Sequence, residues 1–152
     1  MIKKVLFLFI CTFSLTVTLR AQMLSESEFI DYISKGNEKC CEAAEKLAAE
    51  NGMKLKMTIY YDSDNRALVF SYKTFSSDLF NSIDIEAALK GGINGMLSGL
   101  IGGDSSGREL ELMIHEFKIH NINFRVEFLY KKKVKSATAT PAEIQRLASF
   151  LY

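Results

Sequence analysis

The sequence predicts an α+β fold: a small three-stranded sheet, made of a hairpin and one later strand, with helices packed on one face. Two observations lead to this prediction. In residues 53–61, 66–73 and 124–131, apolar side chains recur at every second position, which is typical of strands with one covered and one solvated face. Elsewhere, apolar residues recur three or four positions apart, as on one side of a helix. The chain has one proline and no internal repeat, so a single domain over residues 22–152 is expected.

Residues 1–21 have the layout of a secretory signal peptide. A positive start precedes an apolar run over residues 5–19, and Ala21 precedes a polar, charged sequence. The run is shorter than the roughly 20 residues of a membrane span. We expect cleavage after Ala21 and a periplasmic or secreted protein. The leader takes three of the 19 basic residues and none of the 18 acidic ones, which leaves a net charge of −2 and no general attraction for nucleic acid.

Capping motifs in the sequence predict the first residues of three helices. In a capping box, an N-terminal hydroxyl and a glutamate three residues later each satisfy the other's backbone amide. The pairs are Ser25 with Glu28, Ser106 with Glu109, and Thr140 with Glu143, the last with Pro141 at the first helical position. A second helix follows the Gly-Asn pair at residues 36–37 and ends at Gly52, because glycine readily adopts a left-handed conformation.

The hairpin covers residues 53–73, with turn-forming residues at 62–65 between its strands. Residues 75–89 return to helical spacing and lead into a glycine-rich stretch. After a further helix comes the strand at 124–131, which has two open places in the sheet, beside the first strand or beside the second.

Residues 89–103 form a sparsely polar stretch with glycine at a strict spacing of four. These glycines are Gly91, Gly95, Gly99 and Gly103, with Gly92 and Gly102 added. On a helix they form a furrow that another backbone can approach closely. Four hypotheses follow: the helix packs on its own sheet, the segment is partly frayed and mobile, it self-associates into a homo-oligomer, or it inserts into a membrane. Insertion is opposed by the short apolar length and by Asn94 and Ser98.

Two adjacent cysteines, Cys40 and Cys41, remain after the leader is removed. On a helix their side chains diverge by about 100°, so they form no disulfide framework. The plain interpretation is one buried and one partly exposed thiol. The alternative is a redox pair, an intermolecular disulfide or a soft-metal site.

A concentrated basic patch lies at Lys131, Lys132, Lys133 and Lys135. It is a candidate site for an acidic protein partner or for the anionic headgroups of a membrane. The competing interpretation is a solvated strand end whose lysines deter pairing between sheet edges.

No arrangement of residues in the sequence indicates catalysis, a cofactor or a metal. His115 and His120 are five residues apart, whereas the His-Glu-x-x-His zinc motif needs four, so both are expected on the surface near a helix end. The glycines match neither a phosphate loop nor a dinucleotide-binding pattern. We therefore expect a protein that is not an enzyme.

The hairpin with its segment Leu-Val-Phe-Ser-Tyr at residues 68–72, followed by an amphipathic helix and a further strand, resembles small exported bacterial proteins and lipoproteins of unknown function. The resemblance covers residues 40–135 and rests on element order. The chain departs from it in lacking a lipid-attachment cysteine and in its glycine run. It implies no catalytic residues. The expectation is an exported binding protein of the bacterial envelope, an inhibitor or protective partner of another exported protein; the alternative is a membrane-active or self-assembling protein that uses residues 89–103.

Overall fold

The computed structural model describes residues 24–34, 37–101 and 107–148. Its helices are α1 (Glu26–Ser34), α2 (Asn37–Glu50), α3 (Ser77–Ser82), α4 (Ile85–Ile101), α5 (Gly107–Ile119) and α6 (Pro141–Ala148), and its strands are β1 (Leu55–Asp62), β2 (Ala67–Thr74), β3 (Asn123–Tyr130) and β4 (Lys133–Ala139). The predicted α+β class is confirmed. The leader, residues 1–21, lies outside the described residues.

The sheet has four strands in the order β1-β2-β3-β4. Strands β1 and β2 form the predicted antiparallel hairpin, β3 lies parallel to β2, and β4 pairs antiparallel with β3. The strand after the glycine stretch therefore lies beside the second strand of the hairpin, which decides between the two places that the sequence left open.

The prediction of three strands was wrong by one, because β4 was missed. Its sequence, Lys-Val-Lys-Ser-Ala-Thr-Ala, has no alternation of large apolar residues, and most of its residues are exposed. A strand at a sheet edge contributes little to a core, so it carries little of the hydrophobic pattern by which strands are recognised.

The core lies on one face of the sheet, between the strands and the helices. The inward side chains of three strands are buried there: Met57 and Ile59 of β1, Leu68, Phe70 and Tyr72 of β2, and Phe124, Val126 and Phe128 of β3. Helix α2 packs along β1, and α4 and α6 pack over β3 and β4. The alternation seen in the sequence thus marks the covered face correctly.

Two of the predicted capping boxes are present. The backbone amide of Glu28 donates to the Ser25 hydroxyl (3.3 Å), and that of Ser25 donates to the Glu28 carboxylate (2.8 Å). Thr140 and Glu143 repeat this arrangement at the start of α6. Gly52 ends α2 with a φ of 72°, as predicted. The Ser106 signal lies outside the described residues.

Helix α4 packs on its own sheet. Leu89, Ile93, Met96 and Leu97 are buried in the core, and Gly91 and Gly95 are buried as well. At Gly92 a β-carbon would lie 3.1 Å from side-chain atoms of both Phe124 and Val126, so the helix backbone approaches β3 closely at that point. Gly99 is within α4, and Gly103 lies outside the described residues. In the part of the chain that the structure describes, no helix has the length and apolar character needed to cross a membrane.

Candidate binding surface at the lysine-rich end of the sheet

The face of the sheet opposite the core is not covered by any described helix. Its outward side chains are mostly polar, with Val69, Leu129 and Val134 as apolar exceptions, and those of the outer strands are largely exposed, including Tyr60 of β1 (37%) and Val134 of β4 (58%). On β2, Ala67, Val69 and Ser71 are buried although they point outward, and Val69 lies between Tyr60 and Arg125 in the register of the sheet. We call this side of the sheet, which no helix of the described residues covers, the open face.

A polar network holds the centre of the open face in place. An Arg125 guanidinium nitrogen lies 2.8 Å from Asp62 and 3.5 Å from the hydroxyl of Tyr60, which in turn donates to Glu127 (3.0 Å). Hydrogen bonds from Asn65, and then the Arg125 guanidinium, keep the pKa of Asp62 below its usual value. The charges here are paired with one another, so the network shapes the face and leaves little free charge for a ligand.

One end of the sheet collects six exposed lysines, Lys54, Lys56, Lys73, Lys131, Lys132 and Lys133, which we call the lysine end. The topology brings them together: β1 begins where β2 ends, β3 runs parallel to β2, and the β3–β4 turn closes at the same end. No ion pair between described residues involves any of these six. The lysine end is thus an uncompensated positive surface.

Lys56 and Lys73 lie directly opposite each other in the β1–β2 register. Like charges in this position destabilise an antiparallel pair. The register continues from Lys73 to Leu129 and from Leu129 to Val134, so the same row crosses the open face from two lysines to two apolar residues. The row therefore combines positive charge with apolar surface.

The aromatic ring of Phe75 lies close to two lysines of the lysine end. The Nζ atoms of Lys54 and Lys73 lie 5.1 and 5.7 Å from the ring centroid of Phe75, which is 49% exposed. A cation placed over an aromatic face is attracted by it. Beside Lys54 is an open cleft of about 310 Å³, lined by Glu45, Ala49, Gly52, Met53, Lys54 and Leu55. These features give the positive surface a defined shape.

The basic patch predicted from the sequence divides in two. Lys131 and Lys132 form the two-residue β3–β4 turn, with φ of 53° at Lys131, and Lys133 begins β4. Lys135 instead points to the helical side, where its ammonium donates to the carbonyl oxygens of Phe80 (2.7 Å), Asn81 (3.3 Å) and Ile83 (3.4 Å). It caps the end of α3 and does not belong to the lysine end.

Sequence reasoning missed Lys54, Lys56 and Lys73 as members of this surface. They were recognised only as the polar positions of the hairpin, because nothing local marks them as neighbours of Lys131. The signal that was available is the alternation itself, which puts Lys56 and Lys73 on the solvated face of adjacent strands. Placing them beside Lys131 needs the strand order.

The two cysteines are free; Cys40 is buried and Cys41 partly exposed. Cys41 and Glu45 of α2 cover the outer edge of β1: the Ile59 N–H hydrogen-bonds the Cys41 sulfur, and the Met57 N–H donates to the Glu45 carboxylate (3.0 Å). Burial, and then the neighbouring Cys40, raise the pKa of Cys41 to about 11. Reactive thiols have a lowered pKa, so this environment works against redox or nucleophilic chemistry.

This environment predicts slow alkylation of Cys41 by iodoacetamide in the folded protein. A pKa of about 11 in place of 9.0 lowers the thiolate fraction near neutral pH about a hundredfold. Peptide-level mass spectrometry should show labelling at least about tenfold slower than in the urea-unfolded protein, with the rate rising up to about pH 11. Equal rates in folded and unfolded protein at pH 7 would contradict the assigned environment.

The expectation of two surface histidines is wrong for His120. His115 is exposed, but the Nε2 of His120 lies 2.9 Å from the buried carboxylate of Glu116 and 3.0 Å from the carbonyl oxygen of Leu24. Its ring stacks on Phe29 at 5.6 Å. Glu116 and His120 thus anchor the segment before α1. Among the described residues, no three His, Cys, Asp or Glu side chains are grouped so that they could hold a metal ion.

The architecture defines an α+β protein whose mixed sheet has one helix-covered face and one face that no helix of residues 24–34, 37–101 and 107–148 covers, with a basic end. Comparison of the chain with protein-family models, with curated proteins and with solved structures finds no match in any of the three.

Proposed function

We propose that this protein is an exported, non-enzymatic binding module that captures an acidic segment of another exported protein at the lysine end. The observation that carries the proposal is the direct opposition of Lys56 and Lys73 on the open face. This pair costs stability in the isolated protein. Residues that break a local rule without a structural gain are typical of functional sites, and a bound carboxylate removes the repulsion here.

The row from Lys56 to Val134 supports a polypeptide ligand. It offers two ammonium groups and then the apolar side chains of Leu129 and Val134, at the spacing of adjacent strands. An acidic segment that also carries aliphatic side chains satisfies both halves of this row. Headgroups of anionic lipids satisfy only the charged half. We therefore favour a protein partner over a membrane surface. By capturing such a segment, the protein would act as an inhibitor or a protective partner of the other exported protein.

The environments of the side chains that could take part in catalysis support a binding role instead. Cys41 has a raised pKa and covers the β1 edge, and Glu116 and His120 are engaged with the backbone of Leu24. The alternative of a membrane-active or self-assembling helix at residues 89–103 has less support, because Leu89, Ile93 and Met96 are already buried against the sheet.

Lys56→Glu tests the proposal, because it should weaken binding while it strengthens the fold. The substitution replaces a like-charge pair with an attractive one opposite Lys73, so the free energy of unfolding should rise by about 0.2–1 kcal/mol. Peptides selected from a random display library on the wild-type protein should be enriched in Asp and Glu. Their affinity for Lys56→Glu should fall at least about tenfold, and wild-type affinity should fall with added salt.

Lys39→Glu on α2 is the matched control, since it makes the same charge change at an exposed lysine away from the lysine end. It should bind the selected peptides like the wild type. Two results would overturn the proposal: a selection without acidic enrichment, or equal affinities for Lys56→Glu and wild type. If the peptide selection fails and the protein floats with phosphatidylglycerol vesicles, the lysine end binds a membrane surface instead.

A further inference from the structure

The outer edge of β4 is an open hydrogen-bonding edge. The two-residue turn makes Tyr130 and Lys133 a hydrogen-bonded pair, and such pairs alternate along an antiparallel ladder. The backbone N–H and C=O groups of Val134, Ser136 and Thr138 therefore point away from β3. No hydrogen bond between described residues uses them. The opposite edge of the sheet differs, because Cys41 and Glu45 cover β1 there.

Edge strands are commonly protected from pairing by lysines, prolines or bulges. Strand β4 has neither a proline nor a glycine, and its register with β3 is regular over all seven residues. The ammonium of Lys135 is folded back onto the end of α3, so it does not obstruct an approaching strand. Only Lys133, at the start of the strand, remains as an exposed charge on the inward-facing positions.

We propose that β4 pairs with β4 of a second copy of this chain, antiparallel and with Ser136 on the two-fold axis. In this register Val134 lies opposite Thr138 of the second copy, and Ser136 lies opposite itself. Lys135 meets Ala137 and Lys133 meets Ala139, so no lysine lies opposite a lysine. The two four-stranded sheets join into one sheet of eight strands, and the ladder uses the full length of β4.

The neighbouring registers are less favourable. An axis at Lys135 pairs only residues 133–137 of the two copies, and an axis at Val134 pairs only residues 133–135, so both ladders are shorter than the full strand. An axis at Ala137 brings Lys133 against Pro141, where the strand has ended, and shortens the ladder. The length of the ladder therefore favours the register with Ser136 on the axis, because only this register pairs all seven residues of β4. This inference is independent of the ligand at the lysine end.

Sedimentation velocity of the exported protein tests the pairing. The wild type should show a concentration-dependent dimer, and Ser136→Pro should be monomeric. Proline at this position removes an N–H that β4 does not share with β3, so the fold should persist, as circular dichroism will show. Ser136→Lys and Ser136→Glu should each be monomeric because like charges meet at the axis, and an equal mixture of the two should dimerise.

A disulfide between cysteines introduced into β4 of the two copies tests the register of the pairing. Two Ser136→Cys copies place their Cα atoms about 5.5 Å apart, within reach of a disulfide, so mild oxidation should cross-link them. Val134→Cys lies on the same strand and face, but its two copies are offset by about 13 Å along the strands, at roughly 3.3 Å per residue, and it should not cross-link. A wild type that stays monomeric at all concentrations, or cross-linking of Val134→Cys in preference to Ser136→Cys, would overturn the proposal.

Discussion

Phe124→Ala is expected to lower the free energy of unfolding by about 3–5 kcal/mol, the largest effect of any substitution considered. Phe124 is fully buried near the start of the central strand β3, and its ring meets that of Phe70 edge to face with centroids 5.0 Å apart. Its edge also lies against the backbone of α4 at Gly92. Truncation therefore leaves a cavity between the sheet and the helix, and neither element can move in to fill it without losing other contacts.

Urea unfolding followed by circular dichroism measures this loss. Phe75→Ala is the control: Phe75 is half exposed and contacts Lys54 and Lys73 through its ring, so it should cost no more than about 1 kcal/mol. If the two substitutions had similar effects, Phe124 would not lie at the junction between helix and sheet.

Gly92→Leu is expected to cost about 1–3 kcal/mol, although leucine forms helices better than glycine by up to about 1 kcal/mol. A β-carbon at this position already lies 3.1 Å from Phe124 and from Val126, and the rest of the leucine side chain has no space. Helix and strand must separate to accommodate it. The loss should appear as a lower urea midpoint for unfolding.

Lys90→Leu is the matched control on the same helix. Lys90 is exposed, so the same side chain placed there should change the free energy of unfolding by no more than about 0.5 kcal/mol. If Gly92→Leu proved as harmless as Lys90→Leu, the close packing of α4 on β3 would be wrong.

Local signals in the sequence were sufficient for most of the fold. The capping box at Ser25, the left-handed Gly52 and the hairpin turn each depend on neighbouring residues, so they can be predicted from the local sequence. Strand β4 was missed because its stability comes from its ladder with β3, which no local pattern shows. The run at residues 75–89 divides into α3 and α4 because Asp84 caps a new helix by accepting from the amides of Glu86 and Ala87.

The candidate site was only half predictable. Lys131, Lys132 and Lys133 are contiguous in the chain, but Lys56 and Lys73 join them through the parallel pairing of β2 with β3. His120 shows the same limit, since its partner Leu24 is 96 residues away. Contacts of this length depend on the order of strands and the packing of helices, and a single sequence carries little information about either.

Hydrogen exchange of the backbone amides at residues 89–97 tests directly whether α4 is sheltered inside its own domain, against β3. In the folded protein these amides should exchange as slowly as those of the core strand β3, and adding phospholipid vesicles should leave their rates unchanged. Exchange that is complete at the first time point, followed by protection when vesicles are added, would show that α4 is not held against the sheet and would favour the membrane-active helix.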